Sequence, residues 1–127
     1  MGDGPASRRR VLIVEDEADQ ILMVQARLEA SGFEVISAMD GEAGLKRVFE
    51  DKPDLVLLDL TMPKMGGWEV CRRLREAPET RGLPVVVLTA AGSQDLEKEC
   101  RKVGADAWLR KPYESMALVE MVRRFLP

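Results

Sequence analysis

The stretch Val11-Leu12-Ile13-Val14 ends abruptly in Glu15-Asp16, and the same design returns at Leu55-Val56-Leu57-Leu58, closed by Asp59. A third run, Val85-Val86-Val87-Leu88, closes on Thr89, and the short run Trp108-Leu109 is followed by Lys111-Pro112. Runs this apolar read as strands buried on both faces, as in a parallel sheet covered by helices. The last residue of each run is then where the chain leaves the sheet. In an open parallel sheet, ligands bind just outside the carboxyl ends of the strands, where the strand order reverses. One edge of the sheet is therefore expected to gather carboxylates, a hydroxyl and an ammonium.

Helical patterns separate the strands. Asp16–Ser31 carries Ile21, Val24 and Leu28 at helical spacing and stops at Gly32. Phe33–Ala38 reads as a strand, and Asp40 as the N-cap of a helix with Ala43, Leu45 and Val48, ending before Pro53. After strand Asp54–Asp59, the segment Thr61–Gly67 reads as a loop broken by Pro63 and Gly66-Gly67. A helix through Trp68, Val70, Cys71 and Leu74 stops near Pro78. Strand Leu83–Thr89, helix Ser93–Val103, strand Ala107–Leu109 and helix Ser115–Phe125 complete the alternation. Strands separated by helices imply right-handed crossovers. The expected fold is α/β, a flavodoxin-like (βα)5 three-layer sandwich with a parallel five-stranded sheet of order 2-1-3-4-5. Pro127 directly after the last helix leads to the expectation that no output domain follows.

Length and composition are those of one ordinary globular domain: 127 residues, 46% apolar and 32% charged. Cys71 and Cys100 lack metal-binding spacing and read as free thiols of a reducing, cytoplasmic setting. The absence of histidine removes the commonest general base and transition-metal ligand from this chain. No apolar run approaches the roughly 18 residues of a membrane span, and the first ten residues lack the apolar core of a secretory signal. A net charge of −3 argues against nucleic acid as a direct ligand, Arg8–Arg10 notwithstanding.

With this strand order the first and third strands are neighbours, so Glu15, Asp16 and Asp59 are expected within a few ångström of one another. Carboxylates so close must protonate or share a cation. An oxygen-only cluster suits a hard ion that keeps several waters, hence Mg2+, with Mn2+ as a substitute. Lys111 is placed to balance the remaining charge, and Thr89 to donate a hydrogen bond.

The set Val14-Glu15-Asp16-Glu17, Asp59-Leu60-Thr61-Met62-Pro63 with Gly66-Gly67, Leu88-Thr89-Ala90 and Lys111-Pro112 resembles the receiver domain of two-component response regulators. The resemblance covers about residues 9–126, leaving 1–8 as a mobile N-terminal tail and 9–127 as the domain. It implies that Asp59 is the phosphoacceptor, taking a phosphoryl group from a phosphohistidine on a sensor histidine kinase or phosphotransfer protein. It further implies that Asp16, Asp59 and the backbone carbonyl of Thr61 bind Mg2+ directly, with Glu15 acting through water, and that the Lys111-Pro112 peptide is cis. Lys111 and Thr89 would engage the phosphoryl oxygens. Thr89 and Trp108, where the family commonly has Tyr or Phe, would form the switch that alters the surface of the fourth helix, fifth strand and fifth helix. The implied partners are the kinase and a downstream effector or detached output domain, with a phosphorylation-dependent homodimer left open and no membrane.

Departures from the family pattern are small. Gly66-Gly67 replaces a frequent Asp-Gly and is expected to loosen the turn, and Thr61 and Ala91 occupy positions where the family tunes autodephosphorylation. Leu22 and Met23 flank the inward stripe of the first helix, on the edge where kinases dock on receivers. Two other readings compete. A haloacid-dehalogenase-type Mg2+-dependent phosphohydrolase also uses a strand-end Asp, but wants a second Asp where Thr61 stands. A phosphorylation-independent receiver-like scaffold would be expected to have lost an acid or the lysine.

Overall fold

The computed structural model describes residues 8–60, 65–90 and 96–127. The elements are β1 (Arg10–Val14), α1 (Ala18–Ala30), β2 (Glu34–Ala38), α2 (Gly41–Asp51), β3 (Leu55–Asp59), α3 (Gly67–Glu76), β4 (Val85–Thr89), α4 (Leu96–Val103), β5 (Ala107–Arg110) and α5 (Ser115–Phe125). All strand pairs are parallel, in the order β2-β1-β3-β4-β5. The register sets Val14 beside Leu58 and Asp59 beside Leu88, so the acid-bearing strand ends lie side by side.

Each apolar strand supplies both faces of the sheet. Val11, Ile13, Leu55, Leu57, Val86 and Leu88 pack with Ile21, Val24 and Leu28 of α1 and Leu118, Val119 and Val122 of α5. The alternate residues Leu12, Val14, Val56, Leu58 and Val85 pack with Val48 of α2 and Val70, Cys71 and Leu74 of α3. A smaller cluster seats α4, with Leu96 and Cys100 against Val87 and with Trp68 and Trp108 partly buried around them. Both cysteines are free and buried.

Two boundaries around α1 and the buried stripe of α2 differ from the sequence reading. The first helix starts at Ala18 rather than Asp16, because Glu15 is still tied to the sheet, its N–H donating to Ala38 O at 3.0 Å. Residues 15–17 therefore form a turn over the strand ends. Phe33 belongs to the close of α1 rather than to β2: Gly32 N–H reaches Glu29 O and Phe33 N–H reaches Leu28 O, with Gly32 at φ +96°. This is the Schellman arrangement, in which a left-handed glycine satisfies the last carbonyls of a helix. In α2 the fully buried stripe is Gly41, Gly44 and Val48, with Ala43 and Leu45 at its flanks. A Cβ on Gly44 would lie 2.9 Å from Val14 Cγ2, so the helix approaches β1 more closely than alanine permits. Asp40 does cap α2, accepting from Ala43 N at 2.8 Å.

The two glycines at the start of α3 are not equivalent. Gly67 is buried, and a Cβ there would stand 2.7 Å from Asp59 O; its smallness seats α3 against the exit of β3, and in that respect the turn is packed rather than slack. Gly66 is the N-cap, in extended conformation with open space around it and no side chain to cap with. Gly66→Ser is therefore expected to raise stability by about 0.5–1 kcal/mol, from a new cap and lower unfolded-state entropy. A chemical denaturation midpoint checks it.

Candidate functional site

At the carboxyl edge of the sheet, Glu15 follows β1 and Asp59 ends β3, and both are almost fully buried, at 1% and 2% exposure. Lys111, just past β5, reaches across β4 to both. Its ammonium bonds Glu15 Oε1 at 2.9 Å and stands 3.6 Å from Asp59 Oδ2. The backbone positions it, since Lys111 N–H donates to Thr89 O at 2.7 Å; the Lys111-Pro112 peptide is cis, as the resemblance implied. Thr89, the last residue of β4, is fully buried and lies one position past the register partner of Asp59.

Among the described residues, Glu15, Asp16 and Glu17 form an acid trio in which one carboxylate oxygen from each lies within 4.8 Å of the other two. Asp59 joins this group through its hydrogen bond to Glu15 and through Lys111. Two of these four carboxylates, Glu15 and Asp59, meet the Lys111 ammonium. Burial is the main reason that the Glu15 carboxyl is pushed up to about 7; Asp59 adds to the rise and the Lys111 bond partly offsets it. For Lys111, burial works against the ammonium, but the bond to Glu15 and the field of Asp59 outweigh it and the pKa is raised. The site carries more negative charge than its lysine balances. Its donors are oxygens only, which fits a hard divalent cation.

The sequence-predicted residues fall into three sets. Glu15, Asp16, Asp59, Lys111 and Thr89 gather at one edge. Trp108 lies in β5, half-buried in the α4 cluster with Trp68. Thr61, with its carbonyl, and Ala91 lie outside the described residues, as do residues 1–7 of the expected tail. Two neighbours escaped the sequence reading. Glu17 completes the acid trio; it stood in the quoted motif Val14-Glu15-Asp16-Glu17 without a role of its own. Tyr113 is close enough for Lys111, Glu15 and Asp59 to act on its phenol, whose pKa is raised chiefly by burial.

A family model described as response regulator receiver domain matches residues 11–123. The chain belongs to this family. As a receiver domain it is a signalling phosphoacceptor module of two-component systems. It is 39% identical over 114 residues to the response regulator PleD of Caulobacter vibrioides, covering 90% of this chain and 25% of that one. The chain spans between 25% and 52% of the length of the first curated relatives it matches. Among solved structures, the chemotaxis protein CheY4 of Vibrio cholerae superposes with a TM-score of 0.87 at 30% identity, covering 93% of this chain and 98% of that one. The receiver domain of the sensor histidine kinase PA1611 of Pseudomonas aeruginosa, solved with a magnesium ion coordinated in its active site cleft, gives 0.85 at 25% identity, covering 94% and 98%. No described helix of this receiver is long and apolar enough to cross a membrane.

Proposed function

We propose that Asp59 accepts a phosphoryl group from a phosphohistidine of a sensor histidine kinase or phosphotransfer protein in the cytoplasm, and that this chain catalyses only its own phosphorylation and dephosphorylation. The supporting observation is the partly buried Lys111, whose ammonium is held between Glu15 and Asp59 at the edge of the sheet. Asp59 Oδ is the nucleophile. Lys111, anchored at its own N–H by Thr89 O, would follow the charge from the carboxylate to the transferring phosphoryl oxygens. Thr89 would donate its hydroxyl to the same oxygens. The haloacid-dehalogenase alternative finds no support, since Thr61 stands where its second Asp belongs.

Asp16 and Asp59, with the carbonyl of Thr61, would hold Mg2+, and Glu15 would act through water. When bound, Mg2+ supplies charge neutralisation between the carboxylates and a phosphoryl group. Glu15 must give up its proton for this, and its carboxyl titrates at about 7. Mg2+ affinity is therefore expected to fall about tenfold from pH 8 to pH 6. In Glu15→Gln the dependence flattens. Titration followed by tryptophan fluorescence measures both.

Thr89 and Trp108 form the proposed switch. Thr89 closes β4, the strand between β3 and β5, while Trp108 and Trp68 pack around the two buried residues of α4, Leu96 and Cys100. A shift at the end of β4 would reach α4 through this packing and change the α4-β5-α5 surface offered to an effector, an output domain or a second copy. For the donor, the exposed edge of α1 offers Leu22 and Met23, which are 63% and 61% exposed. Met23→Glu is expected to slow transfer from the kinase while uptake from a small donor continues.

The experiment that tests the reading is intact mass and tryptophan fluorescence with Mg2+ and acetyl phosphate. One phosphoryl adduct, mapped to Asp59 and accompanied by a fluorescence change, supports it. No adduct and no Mg2+-dependent change would leave a receiver-shaped scaffold.

A further inference from the structure

Gly67 opens α3 just after the exit of β3. A Cβ there would stand 2.7 Å from Asp59 O, 2.9 Å from Leu60 Cδ2 and 3.0 Å from Leu60 Cα. Gly41 opens α2, and a Cβ there would stand 2.5 Å from Met65 O and 2.8 Å from Val70 Cγ2. In both cases the nearest atom is a backbone carbonyl oxygen, which has no rotamer by which to give way. Neither glycine serves for its backbone freedom. The described glycines with positive φ are Gly32 and Gly104, whereas Gly41 and Gly67 lie in helices, where alanine is the better residue. What position 67 demands is the absence of a side chain.

The two contacts form one chain of packing that ends on Asp59. Asp40 fixes the start of α2 by accepting from Ala43 N–H at 2.8 Å. Gly41 then lets α2 close on Met65 and Val70, which flank Gly67 in sequence. Gly67 in turn lies on the carbonyl of the residue whose carboxylate stands 3.6 Å from the Lys111 ammonium. From the other side β4 ties the same exit, since Leu60 N–H donates to Leu88 O at 3.2 Å. We infer that Gly67, buttressed by Gly41, is a positioning residue for Asp59, setting the reach of its carboxylate toward Lys111, Mg2+ and the incoming phosphorus. The inference rests on the reading of Asp59 as phosphoacceptor and Mg2+ ligand.

Attack on phosphorus depends steeply on where the attacking oxygen stands, and a displacement of about 1 Å can cost about a hundredfold in rate. A methyl group at position 67 must displace either the Asp59 main chain or α3. The two responses differ in their effect on the site. Only the first moves the carboxylate.

The test compares Gly67→Ala, Gly41→Ala and Arg75→Ala with the wild-type chain. Arg75 ties α3 to Gly104 and Leu83 at the far end of the sheet, so its variant controls for lost stability. Calorimetry measures Mg2+ affinity, and intact mass follows phosphoryl uptake over a range of acetyl phosphate concentrations. Gly67→Ala is expected to lower the donor-saturated rate about tenfold and to weaken Mg2+ binding about threefold, with the half-saturating donor concentration within about twofold of wild type. Gly41→Ala, one contact further from Asp59, is expected to lower the same rate about threefold. Arg75→Ala should change neither reading. A folded Gly67→Ala chain with wild-type rate and Mg2+ affinity overturns the inference, because α3 has then yielded and Asp59 has kept its place. Equal losses in Arg75→Ala overturn it as well, since they report stability alone. Adding Leu60→Ala to Gly67→Ala relieves the side-chain clash but not the one with the carbonyl, so full recovery there also counts against it. Should Gly67→Ala fail to fold, Gly41→Ala decides by the same two readings. If the wild-type chain takes up no phosphoryl group, Asp59 as acceptor is overturned, and Mg2+ calorimetry alone decides the positioning role. A wild-type chain that binds no Mg2+ either overturns both.

Discussion

Asp59→Asn is expected to take up no phosphoryl group under conditions in which the wild-type chain is fully modified, and to remain folded. The amide keeps the shape of the carboxylate but has no anionic oxygen to attack phosphorus. No other carboxylate is equally placed: Glu15 is held by Lys111 and buried, and Asp16 and Glu17 lie on the turn above. The same change has a sign on stability. The Glu15 carboxyl has a folded pKa of about 7 against an ordinary 4.5, so its contribution to stability falls as pH rises through that window. Asp59 is one cause of the rise. Removing its charge is therefore expected to stabilise the Mg2+-free protein by about 1 kcal/mol above pH 7, a gain that disappears near pH 5, where Glu15 is protonated in either chain. Intact mass with acetyl phosphate reads the first effect, and denaturation midpoints at the two pH values read the second. An adduct on the Asn variant would move the acceptor elsewhere.

Arg75→Ala is expected to cost about 2–4 kcal/mol of stability while leaving the phosphorylation chemistry in place. Arg75, on the last turn of α3, sits at the opposite end of the sheet from the acids. Its Nε donates to Gly104 O at 2.8 Å, and Nη1 reaches Leu83 O, Arg81 O and Thr80 O at 2.7, 3.0 and 3.3 Å. Nη2 bonds Asp106 Oδ2 at 2.7 Å, and that oxygen also accepts from Val85 N at 2.8 Å. One guanidinium thus ties α3, the loop before β4 and the turn before β5. The side chain is 18% exposed, so its loss strands several carbonyls that water reaches only in part. Lysine has a single nitrogen and cannot copy the fork, so Arg75→Lys should recover less than half of the loss. Asp106→Asn, which keeps an acceptor for Val85 N–H, should cost about 1 kcal/mol. An Arg75→Ala chain as stable as the wild type would show that solvent satisfies these carbonyls fully.

The clamp was not legible in the sequence, and the reason bears on the site as well. Arg75 reads as one more charged residue on an amphipathic helix, because its acceptors are backbone carbonyls, which every residue carries. By contrast, Val11–Val14, Leu55–Leu58 and Val85–Leu88 announce strands by composition alone, since only a strand buried on both faces can be apolar at every position. With helices between them, the parallel sheet and its order followed, and so did the gathering of Glu15, Asp16, Asp59, Thr89 and Lys111 at one edge.

Local hydrophobic runs set the strand ends, and through them the alternation, the layers and the identity of the residues at the edge of the sheet could be read from the sequence alone. Tertiary structure alone decided how those residues meet. It put Lys111 on Glu15 more closely than on Asp59, added Glu17 to the acids, brought Tyr113 and Gln20 into a cavity beside the lysine, and set Gly67 against the Asp59 carbonyl. These outcomes depend on distances of an ångström or two between groups far apart in the chain, and no periodicity encodes such distances. They also set the chemistry, because the charge of a buried carboxylate depends on which ammonium reaches it and how closely.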